Sequence, residues 1–163
     1  MSGPRDPENH LILDLPGGKV TIELHADLAP LHVERMKLLA RDGFYDGTVF
    51  HRVMEGFMAQ GGDPTGTGTG GSPHGNLKAE FSSEPFKRGT CGMARCQHPD
   101  SANSQFFICF GDARFLDGQY TLWGQVVEGM EAVDRLKKAP AHDRSGMVPE
   151  PDALISMKVL ADA

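Results

Sequence analysis

Residues 10–25 set the first constraint on what this chain can become. His10 to Leu15 and Lys19 to His25 flank Pro16-Gly17-Gly18. A turn that tight lays one extended run directly beside the other. In the second run Val20, Ile22 and Leu24 face one way, and Thr21, Glu23 and His25 the other. That period of two marks a strand with one buried face.

More short runs of this kind follow. Val49 to Met54 and Phe57 to Gln60 read as strands joined near Glu55-Gly56, and Thr90 to Ala94, Ser104 to Phe110, Tyr120 to Val127 and Ala153 to Leu160 are strand-like too. Within Ser104 to Phe110, Gln105, Phe107 and Cys109 share one face, and Phe106, Ile108 and Phe110 the other. Two segments have helical spacing instead. Pro30 to Arg41 gathers Val33, Met36, Leu39 and Ala40 in one stripe, with Pro30 suited to the start and Gly43 to the stop. Its charges are mixed, which favours packing on a sheet over lying on a membrane surface. Gly129 to Lys137 carries Met130, Val133 and Leu136 at the same period, while Lys138 to Asp152, with three prolines, reads as a loop. Short strands with two helices and no internal repeat predict a mostly antiparallel β-barrel or sandwich capped by helices.

Composition removes several function classes. The net charge is −6 and no basic stripe appears, which argues against nucleic acid. No run is long and apolar enough to span a bilayer, and Met1 to Asn9 is polar with two prolines, unlike a secretion signal. The expectation is a cytoplasmic protein with a flexible segment over 1–9 and a single domain over 10–163. Three cysteines cannot all pair within one chain, and Cys91, Cys96 and His98 match no standard zinc spacing, so free and mostly buried thiols are expected. Gly66 to Gly71 matches the dinucleotide pattern GxGxxG, but Pro73, Gly75 and Asn76 follow where a helix would have to open. The glycine-rich stretch 61–76 therefore reads as a mobile loop at the rim of a cleft. His10, His25, His32, His74, His98 and His142 are scattered and read as surface residues.

The stretch from Phe50 to Asp63 carries the chemistry. It sets a permanent cation, Arg52, within a few residues of an aromatic, a thioether and an amide: Phe57, Met58 and Gln60. No nucleophile-and-base pair accompanies them. Such a set suits a reaction in which a substrate is gripped and polarised and no bond is broken. His51 has the opposite strand parity to Arg52, which assigns it a structural, hydrogen-bonded role.

Phe50 to Asp63, Gly92-Met93-Ala94, Asn103 to Ile108 and Phe115-Leu116-Asp117-Gly118 follow one another in this order. Together they resemble the cyclophilins, a family of peptidyl-prolyl cis-trans isomerases, over nearly the whole chain. The run Met93-Ala94-Arg95 is similar to that of bacterial members. The resemblance implies a closed eight-stranded antiparallel β-barrel with a helix over each open end, and a groove on the barrel's outer surface. It implies Arg52 as the catalytic residue. Phe57, Met58, Gln60, Ala94, Gln105, Phe107, Leu116 and Tyr120 would bind substrate, together with the backbone at Arg95. It also implies a monomer without metal or cofactor, acting on proline-containing peptides and on unfolded or nascent proteins. Phe115 stands where many members have a tryptophan whose indole bonds cyclosporin, so weakened drug binding is expected. Tyr120 stands where histidine is common, and Arg95 where asparagine is common.

Overall fold

The computed structural model describes residues 6–140, 143 and 145–163; His142 and the first five residues lie outside this set. Eight strands form one antiparallel sheet: β1 (His10–Leu15), β2 (Gly18–Leu24), β3 (Arg52–Met54), β4 (Met58–Gly61), β5 (Thr90–Met93), β6 (Phe106–Cys109), β7 (Leu122–Glu128) and β8 (Ser156–Val159). Their order is β3-β4-β6-β5-β7-β2-β1-β8. The hairpin stands as read, with Leu15 opposite Gly18 across the turn. Leu11, Leu13, Val20 and Ile22 are all fully buried, as their parity requires.

Helix α1 (Pro30–Arg41) has the predicted limits and packs against β7 and β8. Its N-terminus is satisfied from far away. Ala29 offers no side-chain cap. Instead the amides of Leu31 and His32 donate to the Glu80 carboxylate at 3.1 and 2.8 Å. His32 Nδ1 lies 2.7 Å from the same carboxylate, and His32 is 0 % exposed. This corrects the surface reading of His32: it falls four residues before Met36 and eight before Ala40, on the buried stripe. His10 is likewise buried, its Nδ1 2.6 Å from the Asp6 carbonyl.

Helix α2 (Met130–Asp134) packs on β2 and is shorter than the predicted Gly129 to Lys137. Leu136 is still buried. The Lys137 amide leaves the helix to donate to Asp152 Oδ2 at 2.8 Å, so a side chain competes successfully with the next helical turn. Of the segment expected to be flexible, Pro7–Asn9 form a 3-10 turn. Glu8 there pairs with Lys37 and Arg41 of α1.

The sheet curls without closing, which corrects the expectation of a closed barrel. Among the described residues no ladder joins the edge strands β3 and β8; isolated bridges instead tie Val49 to Ala153 and Arg52 to Met147. The segment 146–154 fills the gap with single bonds: Val53 N to Gly146 O, Val148 N to His51 O, Phe50 N to Asp152 O and Leu154 N to Thr48 O. Pro149 and Pro151 lie in that segment. Proline has no amide hydrogen, so an unbroken ladder cannot run through it.

Candidate active site

Strands β3, β4, β6 and β5 lie side by side, and their register builds the site. Arg52 stands opposite Gln60, Gln60 opposite Phe107, and Phe107 opposite Gly92. These four form one row on one face. Met54, Met58 and Cys109 form the next row on that face. The residues between them, Val53, Ala59, Ile108 and Cys91, turn to the other face and join the main core.

The outer row packs into a second, smaller cluster with Phe86, Leu116 and Leu122. Gly92 makes this possible. A Cβ there would lie 2.5 Å from Phe107 Cζ and 2.8 Å from Phe86 Cε2. With no side chain in the way, the Phe107 ring lies low, stacked on Phe86 at 5.8 Å and met edge-on by Tyr120 at 5.7 Å. Leu116 arrives on the turn Arg114–Leu116. The Phe86 amide donates to Asp117 Oδ1, which ties that turn to the chain beneath Phe107.

These side chains leave a pocket of about 170 Å³ lined by Arg52, Phe57, Met58, Gln60, Ala94, Arg95, Phe107, Leu116 and Tyr120. That is room for several waters or one small ring. Met58, Phe107 and Leu116 are buried, so the floor is apolar, while Arg52, Gln60 and Arg95 make part of the wall polar. Gln105, expected with the others, does not line the pocket. It lies in an adjoining groove of about 610 Å³, formed by 68–72, 94–96, Ser101 and 103–105 with Gln60 and Asn76. Phe115 is 71 % exposed at the rim, its ring 5.4 Å from that of Phe57.

Arg52 is held at the pocket edge. Its Nε donates to Ser145 O at 2.9 Å and its Nη1 to Gln60 Oε1 at 3.3 Å. Gln60 Nε2 then donates to Gln105 Oε1, and Gln105 Nε2 to Gly70 O, both at 3.0 Å. A donor at one end and a carbonyl at the other dictate how both amides point. Among the described residues, Nη2 of Arg52 has no hydrogen-bond partner and no carboxylate pairs with the guanidinium. The cation is therefore oriented but not neutralised.

Three features went unseen in the sequence. Arg95 contributes its side chain as well as its backbone. Nε and Nη2 donate to Gln119 O, Nη1 donates to Cys96 O and Gln97 O, and the guanidinium lies 4.8 Å over the Tyr120 ring. Phe86 is the second, hidden under Phe107; the signal was an aromatic between two loops, which is weak. Asp63 is the third. It is fully buried and gathers the amides of Thr65, Thr67 and Gly68. Burial alone would raise its pKa, but bonds from the Thr65 amide and hydroxyl and from the Gly70 and Gly68 amides hold it down at about 2. The loop expected to be mobile is thus wound around a carboxylate, and an aspartate just ahead of Thr-Gly repeats was its signal.

His51 is buried and takes no part in lining the pocket. Burial lowers its pKa, with the nearby Asp63 opposing. A hydrogen bond with the Val49 backbone also opposes the shift, in keeping with the structural role expected, while Nδ1 has no partner among the described residues. Cys91 and Cys109 are buried free thiols and Cys96 an exposed one. Burial pushes Cys109 up to about 12. Among the described residues no group of three or more His, Cys, Asp or Glu is placed to hold a metal.

Comparison with known proteins gives a consistent picture. The model of the family described as "Cyclophilin type peptidyl-prolyl cis-trans isomerase/CLD" matches residues 11–159. A "Probable peptidyl-prolyl cis-trans isomerase" of Brucella suis is 53% identical over 168 residues, covering 96% of this chain and 85% of the relative. A peptidyl-prolyl cis-trans isomerase of Helicobacter pylori is 44% identical over 125 residues, covering 74% of this chain and 76% of its own. Among solved structures, a cyclophilin from Hirschia baltica superposes with a TM-score of 0.85 at 28% identity, covering 97% of this chain and 76% of that one. A Cryptosporidium parvum cyclophilin type isomerase, crystallised in the presence of the dipeptide Ala-Pro, gives 0.84 at 28% identity, covering 92% and 98%. With its outer pocket, its eight antiparallel strands and these relatives, the chain belongs to the cyclophilin-type peptidyl-prolyl cis-trans isomerases.

Proposed function

We propose that this pocket takes the proline ring of an exposed X-Pro bond and that Arg52 drives its rotation. Amide resonance sets a barrier of about 18–20 kcal/mol, and X-Pro bonds turn over in tens to hundreds of seconds unaided. As the bond twists, the proline nitrogen becomes pyramidal and gains a lone pair. A guanidinium aimed there binds the twisted state better than the planar one, which is the condition for catalysis. Arginine stays charged throughout and offers rigid donors.

The observation that carries this reading is an oriented, unneutralised guanidinium at the edge of a small pocket with an apolar floor. Phe107, Met58, Leu116 and Phe57 would exclude water from the ring. Gln60 and the Arg95 backbone would hold the chain beside it, so that one side of the bond stays fixed while the other turns. The Arg95 amide and carbonyl make no backbone hydrogen bond among the described residues, which leaves both for a substrate strand.

The substrates proposed are proline-containing peptides and unfolded or nascent proteins, met by a cytoplasmic monomer whose isomerase domain spans 10–163. Phe115 has no N–H to offer, so cyclosporin binds weakly while turnover is kept. The test is turnover of a proline peptide by the native enzyme and by Arg52→Ala, with peptide binding measured on the same samples. Fast native turnover, lost in Arg52→Ala while binding persists, is expected. Native binding with no native turnover would leave a proline-peptide binding module instead.

A further inference from the structure

The proline pocket and the groove beside it share Gln60, Ala94 and Arg95. The charged residues lining the two are Arg52 and Arg95. Among the described residues no Asp or Glu lines either, although the chain carries a net charge of −6. Neither guanidinium pairs with a carboxylate among the described residues. Arg95 is held by the carbonyls of Gln119, Cys96 and Gln97 and lies over the rings of Tyr120 and Phe81 at 4.8 and 5.8 Å. Carbonyls and rings fix a cation in place without cancelling its charge. Of the acidic groups on the surrounding segments, Asp117 pairs with Arg114, and Asp63, Glu80 and Asp100 accept from amides and line neither hollow.

We infer that this enzyme favours proline bonds flanked by an Asp or Glu side chain, with Arg95 as the residue that sets the preference, given that the pocket isomerises X-Pro bonds as proposed above. A peptide whose proline fills the pocket passes Arg95 on its way into the groove. An acidic side chain there meets a cation that is already ordered, so the attraction is not spent on freezing a long side chain. A lysine there meets like charge. Because the site is partly open to solvent, the attraction for Glu and the repulsion of Lys each have the scale of an exposed ion pair, and together they separate the two by about three- to tenfold in kcat/KM. It shrinks as salt screens it.

The experiment is a set of matched proline peptides carrying Glu, Gln or Lys in turn at each of two positions on either side of the bond. Turnover is measured at low and high ionic strength with the native enzyme, Arg95→Gln and Arg95→Lys. The Glu peptide is expected to outrun the Lys peptide by three- to tenfold on one side of the proline, with the ratio falling at high ionic strength. Arg95→Gln brings the ratio toward one and Arg95→Lys keeps it. The rate on the Gln peptide reads separately how far each variant disturbs the Tyr120 wall. A ratio near one at every position, or one that survives Arg95→Gln, overturns the preference. Absence of turnover on every peptide overturns the isomerase reading instead.

Discussion

The strands β3, β4, β6 and β5 carry two surfaces that obey different rules. On the inner face Val53, Ala59, Ile108 and Cys91 merge into one large core with Phe106 and Trp123, and all six are at most 1 % exposed. On the outer face Met58, Phe107 and Leu116 also bury themselves, but around a hollow edged by a cation. Arg52 and His51 are chain neighbours divided between these worlds: one is partly exposed at the pocket, the other buried. The lesson is that the inner face is built to be filled and the outer to be nearly filled. Stability should therefore follow the first, and activity the second.

Four measurements test that division. Phe106→Ala empties the inner face, where Phe106 meets Tyr45, Phe50 and Trp123 edge-on. It should cost ~3–5 kcal/mol in denaturant unfolding; a loss near that of an average surface change would erase the distinction. Arg52→Ala should lower kcat/KM about a hundredfold, the scale of one lost transition-state donor, with a melting temperature close to native. A large stability loss would mean that this arginine serves the fold. Gly92→Ala tests the boundary between the faces. The added methyl must lift the Phe107 ring, so an overpacking cost of ~1–3 kcal/mol should accompany a roughly tenfold fall in kcat/KM. If stability falls with turnover untouched, the ring's height does not matter to the pocket.

The smallest effect is in pH. An arginine side chain keeps its charge throughout this range, so turnover should be nearly flat from about pH 6 to 8. The buried histidines should respond differently. Burial holds His32 and His51 below the ordinary 6.5. The unfolded chain therefore takes up those protons first. Their contribution to stability is complete above about 6.5 and drains away as pH falls below it. Asp63, held at about 2 against an ordinary 3.8, contributes fully above 3.8 and is lost as pH falls through 2. Melting temperatures that stay level from neutral to acid would contradict the burial of both histidines, and a bell-shaped rate profile would return His51 to the chemistry.

How far the sequence revealed this depended on distance along the chain. The hairpin and α1 follow from neighbours a few residues apart, and both were legible nearly to the residue. Parity within β4 and β6 placed Gln60 and Phe107 correctly, and the resemblance to known motifs supplied Arg52's companions. What could not be read was contact between distant segments. Glu80 reaches α1 across 48 positions, and Asp152 draws Lys137 out of α2 across 15. The grip of Arg95 on Gln119 spans 24. No local pattern distinguishes these from solvated charges. The sheet's failure to close was legible in principle, because Pro149 and Pro151 sit in the would-be seam.

That seam has a consequence for the company this protein keeps. A bare strand edge invites any extended chain to add itself as one more strand, and the proposed substrates are extended chains with unpaired amides. Here β3 meets single bonds and prolines along its free side, and Met157 of β8 gives its amide to the Asp46 carboxylate. On the proposed reading a client would enter the pocket and leave again, because among the described residues the seam beside it carries single bonds in place of a ladder.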